Sequence, residues 1–301
     1  MDISIVTDEL SGDPETAIEL GMEWGVSLFE LRGVHDQRVP RVEGHVRRRL
    51  VRALNEFGAG VTAISPGLFK IPFPDVEPAR SNLGWMDRGF QASWEESQAL
   101  LADHRDNLLP QSLDFAAEVG AHYVIAFSFH RNGVASGAAP GGVVDVLSEA
   151  AEAAAARGLE LLVETEEGHW ANTGAASRRL AERVGNAAFG INWDPANALI
   201  DGDVPYPDGY EAVKAHIRNV HFKDAHVYPD GEWELVADGQ VDWKGQIAAL
   251  ARDGYAGAIA IEPHLSPSIA ATRAAFCRLC GFLMGAGAAS EATAKKFQPN
   301  S

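Results

Sequence analysis

The chain has 301 residues and 46% hydrophobic content, which suit one large domain with a single core. Its 42 acidic and 25 basic residues give a formal charge of −17, so the mean field repels a phosphate backbone and argues against a nucleic-acid partner. No apolar run approaches the roughly 18 residues of a membrane span, and we expect no export signal. The expectation is therefore a cytoplasmic protein that contacts neither membrane nor nucleic acid.

The two cysteines, Cys277 and Cys280, have CxxC spacing within a segment of helical pattern. No second pair completes a zinc site, and no thioredoxin-like strand precedes them. They are interpreted as buried, reduced thiols of a cytosolic protein.

Strand patterns and helix patterns alternate from the first residues onward. The first strand begins at Ile3, and Asp13 followed by Pro14 predicts a helix with an acidic cap and proline at its first position. A strand over residues 26–32, a helix over residues 42–57 and a strand over residues 61–65 follow. This alternation is typical of βα units.

The alternation breaks between residues 66 and 93, in a long connection that is rich in aromatic residues and contains prolines. Long connections of this kind are usually functional or disordered, and the aromatic content argues against disorder. Two interpretations stay open, a partial lid over a barrel mouth and a loop packed on the barrel's side.

The alternation then resumes to the end of the chain. Helices are predicted over residues 103–119, 144–157, 173–184 and 270–284, with one more after Trp243. Strands are predicted over residues 121–130, 159–164, 188–194, 217–222 and 257–262, with a loop over 201–209. A Pro-Asp-Gly turn at residues 229–231 predicts a small hairpin after the seventh strand.

Eight strands and roughly eight helices predict an α/β protein with a (β/α)8 TIM barrel over residues 1–285, followed by a flexible tail over residues 286–301. A doubly wound open sheet is the alternative. That fold would place a glycine-rich phosphate loop after the first strand, and residues 7–12 do not form one.

Three of the predicted strands end on a carboxylate and one on a histidine. Because a buried, unpaired carboxylate is costly, this clustering at one end of a barrel predicts a shared cation. The predicted ligands are Glu164, Asp194, His221 and Glu262. Any one of these acids alone would be interpreted as a helix cap or a surface ion pair. The oxygen-rich set suits Mn²⁺ first, with Mg²⁺, Co²⁺ or Zn²⁺ as alternatives.

A divalent ion at this position would polarise a carbonyl and hold the enediolate that forms when a proton leaves the adjacent carbon. Glu164 and Glu262 lie on the first and last strands of the predicted arc and are the candidate acid/base pair. This arrangement predicts isomerisation or epimerisation of a keto-sugar or a related polyol derivative, and hence a small carbohydrate substrate. A homo-oligomer stays open.

The residues predicted to perform this chemistry also resemble the motifs of a known superfamily. Glu164, Asp194-Pro195, His221-Phe222-Lys223-Asp224 and Glu262, in this order on successive strand ends, resemble the sugar phosphate isomerase/epimerase superfamily with its xylose isomerase-like TIM barrel. The resemblance spans nearly the whole chain and implies a divalent-metal enzyme. It does not name the substrate, since the superfamily includes ketose 3-epimerases, inosose-type dehydratases, endonuclease IV and C-glycoside deglycosidases.

Two departures weaken the interpretation as a ketose 3-epimerase. Asn197 stands where many members have a histidine, and an arginine expected downstream of the strand-seven histidine is absent from residues 225–227. Lys223 resembles the lysine of a His-x-Lys-Asp variant in the family and is predicted to anchor a substrate oxygen.

Other polar residues near the predicted strand ends have two interpretations each. His130 is either a ligand or acid/base, or a structural histidine; His169 and His264 either contact the site or are ordinary loop residues. Arg32 either binds an anionic substrate group or pairs with Glu30, and the pair is favoured. Three tryptophans either wall a sugar pocket or pack structurally, namely Trp85, Trp170 and Trp233.

Two other classes of function remain open. A lyase or deglycosidase acting on a 3-keto-glycoside would use the same proton abstraction and then expel the aglycone, with His130 as the acid. An endonuclease IV-like nuclease would need more metal ligands and a basic surface, which the net charge opposes.

Overall fold

A computed structural model describes residues 1–79 and 94–289, and its central feature is a closed barrel of eight parallel strands. The strands are β1 (Asp2–Val6), β2 (Leu28–Leu31), β3 (Gly60–Leu68), β4 (Tyr123–Ala126), β5 (Glu160–Glu164), β6 (Phe189–Trp193), β7 (Ile217–Phe222) and β8 (Ala258–Ile261). They follow one another around the barrel in chain order, and β1 pairs with both β2 and β8. The predicted (β/α)8 fold is confirmed.

Helices connect the strands and cover the barrel from outside. They are α1 (Pro14–Glu23), α2 (Gly44–Phe57), α3 (Ser97–Asp103), α4 (Leu109–Val119), α5 (Gly141–Ala155), α6 (Gly174–Val184), α7 (Pro195–Ile200), α8 (Tyr210–Val213), α9 (Trp243–Arg252) and α10 (Ser268–Gly285). Asp13 caps α1 by accepting a hydrogen bond from the Thr16 amide at 3.0 Å, as its sequence predicts. None of the described helices is both long and apolar enough to span a bilayer.

Two small hairpins lie outside the barrel. Ala225–Val227 pairs with Trp233–Leu235, which confirms the hairpin predicted from the Pro-Asp-Gly turn. Gly33–Val34 pairs with Gln37–Arg38 in a hairpin that the sequence pattern did not predict. Strands of two residues carry too little hydrophobic alternation to be recognised.

Three features differ from the predictions. Cys280 is buried as expected, but Cys277 is exposed. β4 ends at Ala126 rather than at His130, and the chain continues from there as irregular backbone. The segment predicted as a loop over residues 201–209 ends in a π-helical turn, Pro205–Gly209. Residues 80–93 of the predicted connection, with Trp85, and residues 290–301 of the predicted tail lie outside the described residues.

Alternate residues of each strand face the helices or the barrel interior. The outward set forms the main core and includes Val163, Ile191, Val220 and Ile259, all fully buried. A separate cluster of Ala63, Ile125 and Leu162 lies apart from that core. Both faces of the sheet are therefore covered, which explains why the strands read as nearly continuous apolar runs.

Candidate metal centre

The four predicted ligands meet at the carboxyl ends of β5 to β8. Each occupies the position two residues after an interior-facing one, as Glu164 follows Leu162 on β5, and the period of two keeps it on the interior side. One potential ligand atom from each residue can be chosen so that all four atoms lie within 4.8 Å of one another. The structure therefore brings together the full set of Glu164, Asp194, His221 and Glu262.

His221 is the central member of this cluster. Its Nδ1 lies 3.0 Å from Oε2 of Glu262, 3.4 Å from Oε1 of Glu164 and 4.0 Å from Oδ2 of Asp194. The four residues are at most 4% exposed. Water therefore does little to screen these charges from one another.

Asp194 has a second role, since its Oδ1 accepts hydrogen bonds from the amides of Ala196 and Asn197, both at 3.0 Å. These bonds cap α7, whose first residue is Pro195. The cap holds Oδ1 at the helix and leaves Oδ2 facing the cluster. The short helix α7 was not predicted, although the Asp-Pro pair carried its start signal.

The pKa values of the three clustered carboxyl groups depend on burial and on neighbouring positive charges. Burial raises the pKa of both Glu164 and Asp194, and His221 opposes the rise. Burial also raises the pKa of Glu262, but His221, His264, Lys223 and Arg32 outweigh it and hold that pKa well below its usual value. Neighbouring positive charges therefore stabilise the ionised form of these carboxylates.

The residues fit a divalent cation. Oδ2 of Asp194 and Nδ1 of His221 are buried and make no hydrogen bond among the described residues; their charged neighbours, Lys223 at 2.8 Å and Glu262 at 3.0 Å, lie outside hydrogen-bond geometry. Buried polar atoms left in this way are costly unless another group satisfies them. Three carboxylates and an imidazole offer donors that suit a divalent metal ion.

Lys223 lies beside the same cluster. Its Nζ is 2.8 Å from Oδ2 of Asp194 and 3.4 Å from Oε2 of Glu262, and the residue is 6% exposed. Burial lowers the pKa of Lys223, but the surrounding carboxylates outweigh burial and raise it well above the usual value. The ammonium group is therefore charged and points at the predicted ligands.

Arg32 does not pair with Glu30, so that favoured interpretation is wrong. Its Nη1 donates to Oε1 of Glu262 at 2.5 Å, its Nη2 to Oε1 of Glu9 at 2.8 Å, and its Nε to Asp8 at 3.0 Å. Glu30 lies on β2 and Arg32 directly follows that strand, and the two side chains reach different partners. The guanidinium group is thus occupied by three carboxylates, one of them a predicted ligand.

A second buried ion pair lies next to the cluster and was missed by the sequence analysis. Nζ of Lys70 is 2.6 Å from Oε1 of Glu166 and 4.7 Å from the centre of the Phe127 ring. Asn197 donates to Oε2 of Glu166 at 2.8 Å, so the residue that departs from the family pattern holds this glutamate. Lys70 lies two residues after the end of β3, in a segment where the sequence shows no strand or helix periodicity that would mark an inward side chain.

Two histidines and a tryptophan follow β4 and β5. The rings of His130 and His169 are 4.0 Å apart, and the backbone of His130 bridges that of His169. Nδ1 of His169 donates to the Glu167 carbonyl at 2.8 Å, and burial lowers its pKa well below the usual value. Nε2 of His169 and Nε1 of Trp170 are buried and make no hydrogen bond among the described residues.

The remaining predicted positions lie farther from this arrangement or support it indirectly. His264 contacts Glu9 through Nδ1 at 2.7 Å and its Nε2 lies 3.5 Å from Glu262. Trp233 belongs to the hairpin after β7. The structure thus groups the predicted ligands with Lys223 and Arg32, and places His130 and His169 together near Phe127.

The closed eight-stranded barrel, with a buried cluster of three carboxylates and a histidine at its carboxyl-terminal end, defines the protein as a TIM barrel. The profile of the xylose isomerase-like TIM barrel family matches residues 18–280. The chain belongs to this family. No curated protein sequence matches the chain.

Solved structures share the fold over nearly the whole chain. A xylose isomerase domain protein from Planctomyces limnophilus has a TM-score of 0.69 and 19% identity, over 95% of this chain and 98% of that one. L-ribulose 3-epimerase has a TM-score of 0.68 and 19% identity, over 99% and 100%. A xylose isomerase-like TIM barrel protein from Mycobacterium smegmatis in complex with magnesium has a TM-score of 0.63 and 16% identity, over 91% and 89%.

Proposed function

We propose that this protein is a divalent-metal-dependent sugar isomerase or epimerase that acts on a keto-sugar or a related polyol derivative. The observation that carries the proposal is the convergence of Glu164, Asp194, His221 and Glu262, whose ligand atoms lie within 4.8 Å of one another at the barrel mouth. The shared fold with L-ribulose 3-epimerase supports the same class of reaction.

In this proposal the four residues hold the metal ion, with Mn²⁺ as the first choice. Its chemistry when bound is to polarise a carbonyl oxygen and so acidify the neighbouring C–H bond. The complex of a family neighbour with magnesium supports a divalent ion as such and leaves the choice among Mn²⁺, Mg²⁺, Co²⁺ and Zn²⁺ to experiment.

Glu164 and Glu262 are the proposed acid/base pair. They come from β5 and β8, the two ends of an arc of four neighbouring strands, and approach His221 Nδ1 from different strands. One carboxylate can therefore remove a proton from one face of a substrate carbon while the other returns it to the opposite face. Arg32 is proposed to hold Glu262 in place rather than to bind substrate, since its donors are occupied by carboxylates.

The substrate's hydroxyl and carbonyl oxygens are proposed to meet three further residues. Lys223 supplies a buried, charged donor at the edge of the ligand cluster. Because Nδ1 of His169 donates to a carbonyl, its Nε2 is an acceptor, and Trp170 Nε1 is a donor. A sugar hydroxyl satisfies both kinds of atom. The ring of His130 lies 4.0 Å from that of His169. His130 is proposed to orient His169 or to exchange a proton with the substrate.

The experiment is incubation of the Mn²⁺-loaded protein in deuterium oxide with a panel of free ketoses and a 3-keto-glucoside. We expect a true substrate to exchange the proton next to its carbonyl and to give an isomer or epimer with the carbon skeleton intact. Glu262→Gln should abolish exchange, whereas Glu160→Gln, at the partly exposed start of β5, should retain it.

Each other result of this experiment has a defined meaning. Exchange together with release of an aglycone would assign the protein to the lyase alternative. Turnover without deuterium in product or recovered substrate, with a shielded proton relay excluded, would contradict proton abstraction altogether. Cleavage of abasic DNA at comparable efficiency would overturn the proposal, because that reaction attacks phosphorus and needs no acidic carbon.

A further inference from the structure

A fourth carboxylate, that of Glu30, reaches the metal centre from across the barrel interior. Glu30 lies on β2, whereas His221 lies on β7, and these strands are not neighbours in the sheet. Both oxygens of Glu30 contact Nε2 of His221, Oε1 at 3.2 Å and Oε2 at 3.1 Å. The contact therefore crosses the barrel interior, and both residues are 0% exposed.

The two nitrogens of His221 consequently face different surroundings. Nε2 faces the Glu30 carboxylate, while Nδ1 faces the predicted ligands, with Glu262 at 3.0 Å. Carboxylates lie at both nitrogens, and a cation bound at Nδ1 excludes a proton from that nitrogen. Glu30 then accepts the proton that remains on Nε2, so this carboxylate stabilises the tautomer whose Nδ1 lone pair is open to the cation.

Two asparagines complete a polar layer around this contact. Nδ2 of Asn219 donates to Oε2 of Glu30 at 3.2 Å and to Oδ1 of Asn192 at 3.0 Å. Nδ2 of Asn192 lies 3.1 Å from Nε2 of His221, and in the proposed tautomer the Nε2 proton is directed to the Glu30 oxygens and not to this amide. Glu30 is thus held by a second donor and its carboxylate cannot turn without breaking that bond. Fixed surroundings of this kind fix the ring orientation of the histidine.

We propose that Glu30 is a positioning residue that fixes the tautomer and the ring orientation of His221, so that Nδ1 is the atom presented to a divalent cation. The inference rests on the proposed metal centre and adds a fifth residue to it. A carboxylate behind a histidine ligand raises the basicity of that ligand and fixes its direction. Glu30 therefore contributes to cation affinity without touching the cation.

A competing explanation is that Glu30 acts only through its negative charge, as any carboxylate near the mouth would. Two variants separate the explanations. Glu30→Asp keeps the charge but shortens the side chain by one methylene, and so withdraws it from His221. Glu166→Gln removes a buried charge from the same mouth and leaves the contacts of His221 intact, because Glu166 pairs with Lys70 and Asn197.

The test is titration of metal-stripped protein with Mn²⁺ in a calorimeter, with circular dichroism as the check on folding. We expect both Glu30→Gln and Glu30→Asp to raise the Kd for Mn²⁺ by about 10- to 100-fold. Glu166→Gln should raise it clearly less. Wild-type affinity in Glu30→Asp, or equal weakening in Glu30→Gln and Glu166→Gln, would overturn the positioning role and leave only a charge effect.

A spectroscopic measurement on the wild-type protein tests the same idea without depending on how a variant folds. In protein with ¹⁵N-labelled histidine, addition of diamagnetic Zn²⁺ should shift Nδ1 of His221 while Nε2 keeps its proton; loss of the signals in His221→Gln identifies the residue. Coordination through Nε2 would overturn the proposal. If the wild-type protein binds neither ion, the proposed metal centre and the role of Glu30 are both wrong. If the ion binds through Nδ1 and neither Glu30→Gln nor Glu30→Asp affects that binding, only the role of Glu30 is wrong.

Discussion

The ammonium group of Lys223 lies 2.8 Å from Oδ2 of Asp194, on the side of that carboxylate that faces the predicted ligands. The other oxygen, Oδ1, is committed to the amide groups at the start of α7. The two oxygens of this carboxylate therefore have different partners: Oδ1 accepts from the helix end, and Oδ2 faces a lysine beside the predicted metal site. Lys223 therefore supplies a positive charge beside two of the predicted ligands, Asp194 and Glu262.

Lys223→Met should have two opposite effects. A charge-assisted hydrogen bond to a substrate oxygen is worth about 1.5–3 kcal/mol, so KM should rise by about 10- to 100-fold with a smaller change in kcat. Mn²⁺ should bind more tightly, because a neighbouring positive charge has been removed. Steady-state kinetics and calorimetric titration measure the two effects, and an unchanged KM would remove Lys223 from the pocket.

Removal of a predicted ligand should empty the metal centre. Protein purified as Glu164→Gln or His221→Ala is expected to contain far less divalent metal than the wild type, because three donors hold the ion less well than four. Elemental analysis after dialysis gives the metal content per chain. Glu160→Gln, on the same strand as Glu164, is the matched control; equal metal content in all four proteins would rule out this site.

Arg32→Met should destabilise the fold as well as the site. The guanidinium group lies among Asp8, Glu9 and Glu262, and its side chain is 13% exposed. Since the change leaves buried carboxylates without their counter-charge, we expect a loss of about 3–5 kcal/mol in the free energy of unfolding. Urea denaturation measures this loss.

The control for Arg32 is Arg252→Met, which removes an exposed arginine that pairs with Glu211 and Asp253. Surface pairs contribute about 0–1 kcal/mol, so this variant should unfold close to the wild type. A loss at Arg32 no larger than that at Arg252 would contradict the description of Arg32 as the counter-charge of a buried cluster.

We expect protonation of His104 to lower the free energy of unfolding at acidic pH. Nδ1 of His104 accepts a hydrogen bond from the Phe69 amide at 2.8 Å, and burial lowers the pKa of His104 from 6.5 to about 4. As the pH falls from 6.5 to 4, the unfolded chain binds a proton that the folded chain resists, so stability is lost in this window. Between pH 7 and pH 5 the loss should be about 2 kcal/mol.

His104→Asn tests this origin of the pH dependence. The asparagine Oδ1 can still accept from the Phe69 amide but does not titrate, so the variant should lose about 2 kcal/mol less than the wild type between pH 7 and pH 5. Urea denaturation at both pH values measures the difference. Parallel pH profiles for the two proteins would assign the acid sensitivity to other groups.

The sequence by itself determined the barrel and its four predicted ligands. Strand ends carry a local signal, because an apolar run that stops on a charged residue is visible without knowing what lies beside it. Repetition of that signal on four successive strands, together with the parallel arrangement that βα units require, implies that Glu164, Asp194, His221 and Glu262 meet at one edge.

Only the tertiary structure decided what surrounds those four residues. Glu30 and His221 are 191 positions apart and meet only because the sheet closes, and the same closure brings Arg32 to Glu262 across the junction of β1, β2 and β8. Lys70 reaches Glu166 from an irregular segment without periodicity. Pairing of this kind depends on barrel curvature and on competition among buried charges, which are properties of the assembled fold and not of any segment of the chain.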